Sequence, residues 1–184
     1  MKEELLKLKI DGYLKDGDIY EDKIFSSLVQ YYMNKARHNL LTAKLMHNIS
    51  EDVRIKHTLS MPDDYVAFDW VIVAGYYAMF HMATALLGLV GIRARSHESL
   101  INALEYQFVH KKNLLKTDFI KDISEAKRLE EHYINKIWTA KSKRTVAHYK
   151  AERDISQKDA TKILTYSTKF VNRLHEIILQ FKKE

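Results

Sequence analysis

Residues 135–150 read NKIWTAKSKRTVAHYK, a run that contains no acid. Within it Arg144 and His148 stand four apart, so on a helix their side chains share one face. Arginine offers a planar fork of donors for a phosphate, and histidine exchanges a proton near neutral pH. Together they suffice for metal-free RNA cleavage. The imidazole would take the proton of a 2′-hydroxyl, that oxygen would attack the adjacent phosphate, and the guanidinium would stabilise the growing charge. The structural alternative is plainer: an arginine and a histidine near a helix C-terminus also complement its dipole. Lys141, Lys143 and Lys150 surround the pair with nothing to neutralise them, which suits an anion site. Tyr149 could stack on a base, and Trp138 could do so or fill a core or dimer interface.

Other chemistries fit poorly. None of the histidines has an acid three residues before it, the spacing by which helical bundles hold metal pairs. HESLI at 97–101 opens like a zinc-protease helix, but Ile101 stands where the second histidine belongs. There is no phosphate-binding glycine loop and no nucleophile elbow. Cysteine is absent, which excludes thiolates and disulfides. The expectation is therefore no metal and no cofactor. His81 reads as a satisfied core histidine, and His97, after Ser96, as part of a helix cap.

The elements that must position the pair are helices. With one proline and five glycines in 184 residues, the chain has few turns, which suits long helices. One helix is expected over about 22–49, with Phe25, Leu28, Tyr32, Ala36, Leu40, Ala43 and Met46 on its apolar face. Pro62 and the following aspartates predict a second over 63–90, ended by Gly88 and Gly91. Ser96 opens a short helix to about 110, and residues 117–149 form a third long one with Phe119, Ile123, Ala126, Tyr133, Ile137 and Ala140 inward. Arg144 falls next on that stripe, where an apolar residue is due. Ser156 with Asp159 forms a capping box for a helix over 156–182. Residues 3–10 form a short helix at most, and no strand-like alternation is present. The sum is all-α: an antiparallel four- to five-helix bundle, one domain over 1–184, its core at about 22–182 and residues 1–21 a short extension.

Residues 70–92 carry no formal charge and are long enough to cross a bilayer. Several amphipathic segments need an apolar partner, so this stretch is expected as the buried central helix, not a membrane span. The N-terminus lacks a signal-peptide core, and the net charge of +6 favours anionic partners. A cytoplasmic location is the expectation.

YYAMFHMATALLGLVGI, then SHESLINAL, then RTVAHY, with MNKARHNLLTAKLM before them, resembles the HEPN domain family over about residues 25–181. The nearest pattern is a branch of small prokaryotic proteins with a Tyr-Tyr-Ala central helix and an Arg-x-x-Ala-Asp-Tyr segment. The resemblance implies a helical bundle that commonly forms a homodimer. It implies RNA as a partner, either cleaved without metal, as in toxin–antitoxin and defence systems, or only bound. A non-catalytic module paired with a small nucleotidyltransferase-fold protein, or a nucleotide-binding bundle, are the alternatives. The family's catalytic pair is an arginine, four to six residues, then a histidine; here three residues separate Arg144 from His148, and His148 stands where the branch usually has aspartate.

Overall fold

The computed structural model describes residues 2–142 and 156–181. In chain order these form α1 (Lys2–Lys15), β1 (Ile19–Glu21), a 3₁₀ turn (Lys23–Leu28), α2 (Val29–Glu51) and the short α3 (Val53–Thr58). Then come α4 (Phe68–Leu89), β2 (Ile92–Ala94), α5 (His97–Leu104) continued by a wider π-type turn to Lys111, α6 (Thr117–Ser142) and α7 (Gln157–Phe181). The all-α bundle read from the sequence is what forms.

Side-chain register sets the packing. Val29 and Phe25 lie against Gly88, and the His47 ring meets Phe68, so α2 and α4 run antiparallel. Trp70 meets Tyr133 edge-on at 6.4 Å, and Glu130, one turn earlier on α6, lies near Tyr76 and Tyr77, so α6 runs antiparallel to α4. Lys162 pairs with Glu125 at 2.8 Å and Phe119 meets Phe170, so α7 opposes α6. α7 thus lies parallel to α4, and the two touch closely at Gly75. A Cβ there would stand 2.9 Å from the Ile163 Cγ2 and 3.4 Å from the Ser167 Oγ.

α4 is the centre. Ile72, Tyr76, Met79, Met82, Ala83 and Leu86 are fully buried. The helix is apolar and long enough to cross a membrane by composition, yet 72% of its most apolar window is buried by the other elements. The charge-free stretch is a core helix here because α2, α6 and α7 each bring it an apolar stripe. On α7 that stripe is Ala160, Ile163, Ser167, Phe170, Leu174 and Ile177, all buried as read, with Phe181 at the end. The Ser156–Asp159 box closes as expected, each side chain bonded to the other's backbone N–H.

Several boundaries differ from the sequence reading. The first long helix starts at Val29 because Asp22 caps a separate 3₁₀ turn, its side chain accepting from the Ile24 N–H at 3.0 Å. Its buried stripe is Val29, Met33, Ala36, Leu40, Ala43 and His47, so Leu28, Tyr32 and Met46 sit on the flank. α4 begins at Phe68, not near Pro62. The intervening residues are held as a turn: the Lys56 ammonium, itself buried, donates to the Asp63 carbonyl at 2.7 Å. Ser60 takes a positive φ in the same turn, and the Ser50 hydroxyl accepts the Ala67 N–H at 2.8 Å. β1 and β2 form a small antiparallel ladder, Ile19 opposite Ala94. Three-residue strands some seventy residues apart give no local alternation to read. α1 is longer than expected and packs Leu6 and Ile10 inward.

Candidate functional site

Arg144 and His148, with Lys143, Tyr149 and Lys150, lie outside the described residues. Lys141 belongs to the last turn of α6. The register places that turn: Tyr133 is level with Trp70, two residues into α4, and Glu125 is level with Lys162, five residues into α7. α6 then continues nine residues to Ser142, about 10 Å past the level where α4 begins. The acid-free run therefore begins on a helix end that overhangs one end of the bundle.

Below that overhang, α4 turns one face to solvent. Trp70, Val73, Tyr77 and His81 follow one another at spacings of three and four, so they form a single stripe. Trp70 is 53% exposed, and the other three are half-buried. None carries a fixed charge. α2 flanks the stripe with Tyr32, whose ring lies 6.0 Å from His81; Tyr77 lies 6.0 Å from the same imidazole on the other side. The interplanar angles are 33° and 38°, so both phenols lie tilted beside the imidazole. Phe80 continues the cluster to His97 at 4.7 Å, and His97 Nδ1 shares a 2.9 Å hydrogen bond with the Tyr76 hydroxyl. Ser96 caps α5 in a reciprocal bond with Ser99, which fixes His97 at the first position of that helix.

His81 is not the satisfied core histidine expected. Its Nδ1 is shielded from water and has no hydrogen-bond partner among the described residues. Burial, and then the nearby Lys35 ammonium, push its pKa down to about 4, so the ring is neutral at physiological pH. Burial also lowers His97, with Lys127 adding to the effect and Glu131 opposing it.

α6 contributes a residue that the sequence reading passed over. Glu130 falls on the inward stripe between Ala126 and Tyr133 and is only 5% exposed. Burial holds its carboxyl above the usual carboxylate range, and Glu131 pushes the same way. Its charge bears on the Tyr76 and Tyr77 hydroxyls, which burial chiefly and Glu130 secondarily push up. The signal was in the sequence: an acid where the stripe asks for an apolar side chain, the pattern that drew attention to Arg144. One turn on, Tyr133 is pushed up to about 12 by burial and by its hydrogen bond to Asp69. Among the described residues no group of three or more histidines and acids is arranged to hold a metal ion.

The arrangement thus has two parts: a basic helix end above, and below it an uncharged aromatic face edged by cations on one side and acids on the other. Among curated proteins no match to the chain is found. The sequence model of the HEPN domain matches residues 64–177, from the loop before α4 to the last turns of α7. With four antiparallel helices around an apolar centre and a match over most of its length, the chain belongs to the HEPN domain family.

Proposed function

We propose that the protein binds single-stranded RNA at the acid-free end of α6 and cleaves it without metal, with Arg144 and His148 as the reacting pair. The observation that supports this most is the run itself. In a HEPN chain, Lys136, Lys141, Lys143, Arg144 and Lys150 occur with no acid among them, and the run starts on the overhanging helix end. Phosphate neutralisation by such a cluster supplies sequence-independent affinity. His148 takes the 2′-hydroxyl proton, the 2′-oxygen attacks phosphorus, and Arg144 holds the non-bridging oxygens. The bond to the 5′-oxygen breaks, and His148 returns the proton to that leaving group. The products are a 2′,3′-cyclic phosphate and a 5′-hydroxyl.

The active form we propose is a homodimer joined through the outer face of α2. Tyr31, Leu41 and Leu45 share that face and are 52%, 62% and 52% exposed. Apolar side chains grouped on one helix face suit an isologous contact.

The test is cleavage of a mixed RNA pool in EDTA, with product ends mapped. Cyclic phosphates are expected, and a 2′-deoxy substitution at the scissile position should block the reaction. His148→Ala should lose roughly two to four orders of magnitude in rate. Arg144→Lys should also lose activity, because charge without the fork does not hold the phosphate. No cleavage by the wild-type dimer, or undiminished cleavage by His148→Ala, refutes the enzymatic part.

A further inference from the structure

We infer that the outward face of α4, with Tyr32 beside it, is a base-stacking track for single-stranded RNA, continuous with the basic end of α6. The inference rests on the RNA-binding reading above and extends it to residues that the reading does not use.

Four observations carry it. The first is geometry. Trp70, Tyr77 and His81 follow one face of α4, and Tyr32 of α2 lies beside His81. From Trp70 to His81 is eleven residues, about 16 Å of helix. That accommodates about five bases stacked at roughly 3.4 Å each. Ring faces serve every base alike, which suits binding without sequence preference.

The second is polarity. The shielded Nδ1 of His81 has no hydrogen-bond partner among the described residues, and an orphaned buried N–H is rarer than an orphaned acceptor. The neutral ring therefore carries its proton on Nε2. That nitrogen is a fixed donor on an otherwise apolar surface, the group a base carbonyl needs.

The third is charge. The cations lie on the α2 and β2 side. Lys35 is close enough to His81 to depress its basicity. Arg93 sits over Phe25, whose ring meets Tyr32 at 5.5 Å, and Arg95 sits over Tyr20. Arg93 shares its charge with Asp22 at 3.5 Å, while Lys35 and Arg95 have no ion pair among the described residues. The acids, Asp69, Glu130 and Glu131, lie on the α6 side. A strand laid along the face would keep its phosphates toward α2 and β2 and its bases over α4.

The fourth is continuity. The track begins at Trp70, which touches Tyr133 on α6, nine residues before the last described turn of that helix. A strand held by its phosphates at the basic end meets that ring first.

The test uses the full chain and a fluorescein-labelled twelve-nucleotide 2′-O-methyl oligouridine, which the proposed reaction cannot cut, read by anisotropy. Tyr77→Leu and Tyr32→Leu should each weaken binding roughly five- to a hundredfold. The salt slope should not change, because every cation that meets a phosphate is still in place. Lys35→Gln should lower that slope by about one. Circular dichroism should confirm that each variant folds.

A second measurement does not depend on variants. The same 2′-O-methyl oligouridine bearing 5-iodouridine, irradiated on the wild-type protein, should cross-link to the tryptic peptide between Lys56 and Arg93 that holds Trp70, Tyr77 and His81. If the wild type binds but both tyrosine variants bind equally well and no cross-link falls in that peptide, the track is refuted and the basic helix end still stands. If the wild type binds no RNA, the functional reading falls and the track with it. If Tyr77→Leu dissociates a dimer and leaves RNA affinity unchanged, the face belongs to a second copy and the track is refuted. If dimer and affinity disappear together, the wild-type cross-link decides: in the peptide, the track holds; elsewhere, it is refuted.

Discussion

Replacing His81 by phenylalanine should flatten part of the protein's acid sensitivity, and the size of the effect follows from the ring's surroundings. In the folded chain the imidazole titrates near 4; unfolded, near 6.5. Between those values the unfolded chain binds the extra proton, so stability rises with pH in that window. The contribution is present in full above 6.5 and is lost as pH falls toward 4. At pH 5 the linkage relation for these two values gives a loss of about 2 kcal/mol relative to pH 7.5. The ring is half-buried, and solvent at its open edge screens part of that, leaving about 1 kcal/mol. Phenylalanine keeps an aromatic ring between Tyr32 and Tyr77 and removes both the proton site and the unpartnered Nδ1. Urea unfolding at pH 7.5 and 5.0, wild type against His81→Phe, isolates the difference. His97, Glu130 and Asp122, whose titration is also shifted, are common to both proteins and cancel. An NMR titration of the imidazole carbons reads the same quantity directly. A His81 that titrates at 6 to 7, or a variant with the wild-type pH dependence, would show that the ring is neither desolvated nor held beside the two phenols as described.

Gly75→Ala should destabilise by about 1 kcal/mol in denaturant, since overpacking against Ile163 costs about 1–3 kcal/mol. Better helix propensity returns only about 1 kcal/mol of it, and an unchanged midpoint would mean α7 yields freely. Glu130→Gln should leave stability unchanged at low pH and raise it at neutral pH. The folded carboxyl titrates above its unfolded value, so the protonated form is favoured by folding and the ionised form is penalised; thermal melts across that range would expose the opposite sign. Neutralising Lys141, Lys143 and Lys150 together should lower the salt slope of RNA binding by up to about three, one for each phosphate left without its lysine.

The fold was largely legible, for reasons specific to each element. The stripe of α7 reads correctly from Ala160 to Ile177 because its buried side chains repeat at three and four. α2 reads correctly at Ala36, Leu40 and Ala43 and slips by one position at its start. Leu28 and Tyr32 imitate the stripe that Val29 and Met33 occupy, and hydrophobicity alone does not separate adjacent positions. The start of α4 was misread because Pro62 and the aspartates carry helix-start chemistry locally, while the Lys56 and Ser50 bonds that hold the turn come from a preceding element. The outward aromatic face was hidden in a stretch that looked uniformly apolar. Which side of such a helix stays open depends on where α2, α6 and α7 settle. Arg144 and His148 could be singled out from the sequence, but their mutual geometry lies outside the described residues.

Gly75 has a consequence for how the chain is made. The face it presents is closed by Ile163 and Ser167 of α7, some ninety residues further along. α2 precedes α4 in synthesis and can cover one flank at once, whereas α7 emerges only later. At about 5–20 residues per second, the 92 residues from Leu89 to Phe181 take roughly 5–18 s to add. For that interval the most apolar helix of the protein, long enough to be taken for a membrane span, stands with one seam uncovered. The nascent chain is therefore expected to be a chaperone client, and a product stopped before Ile163 should be recovered in aggregates or bound to such a chaperone.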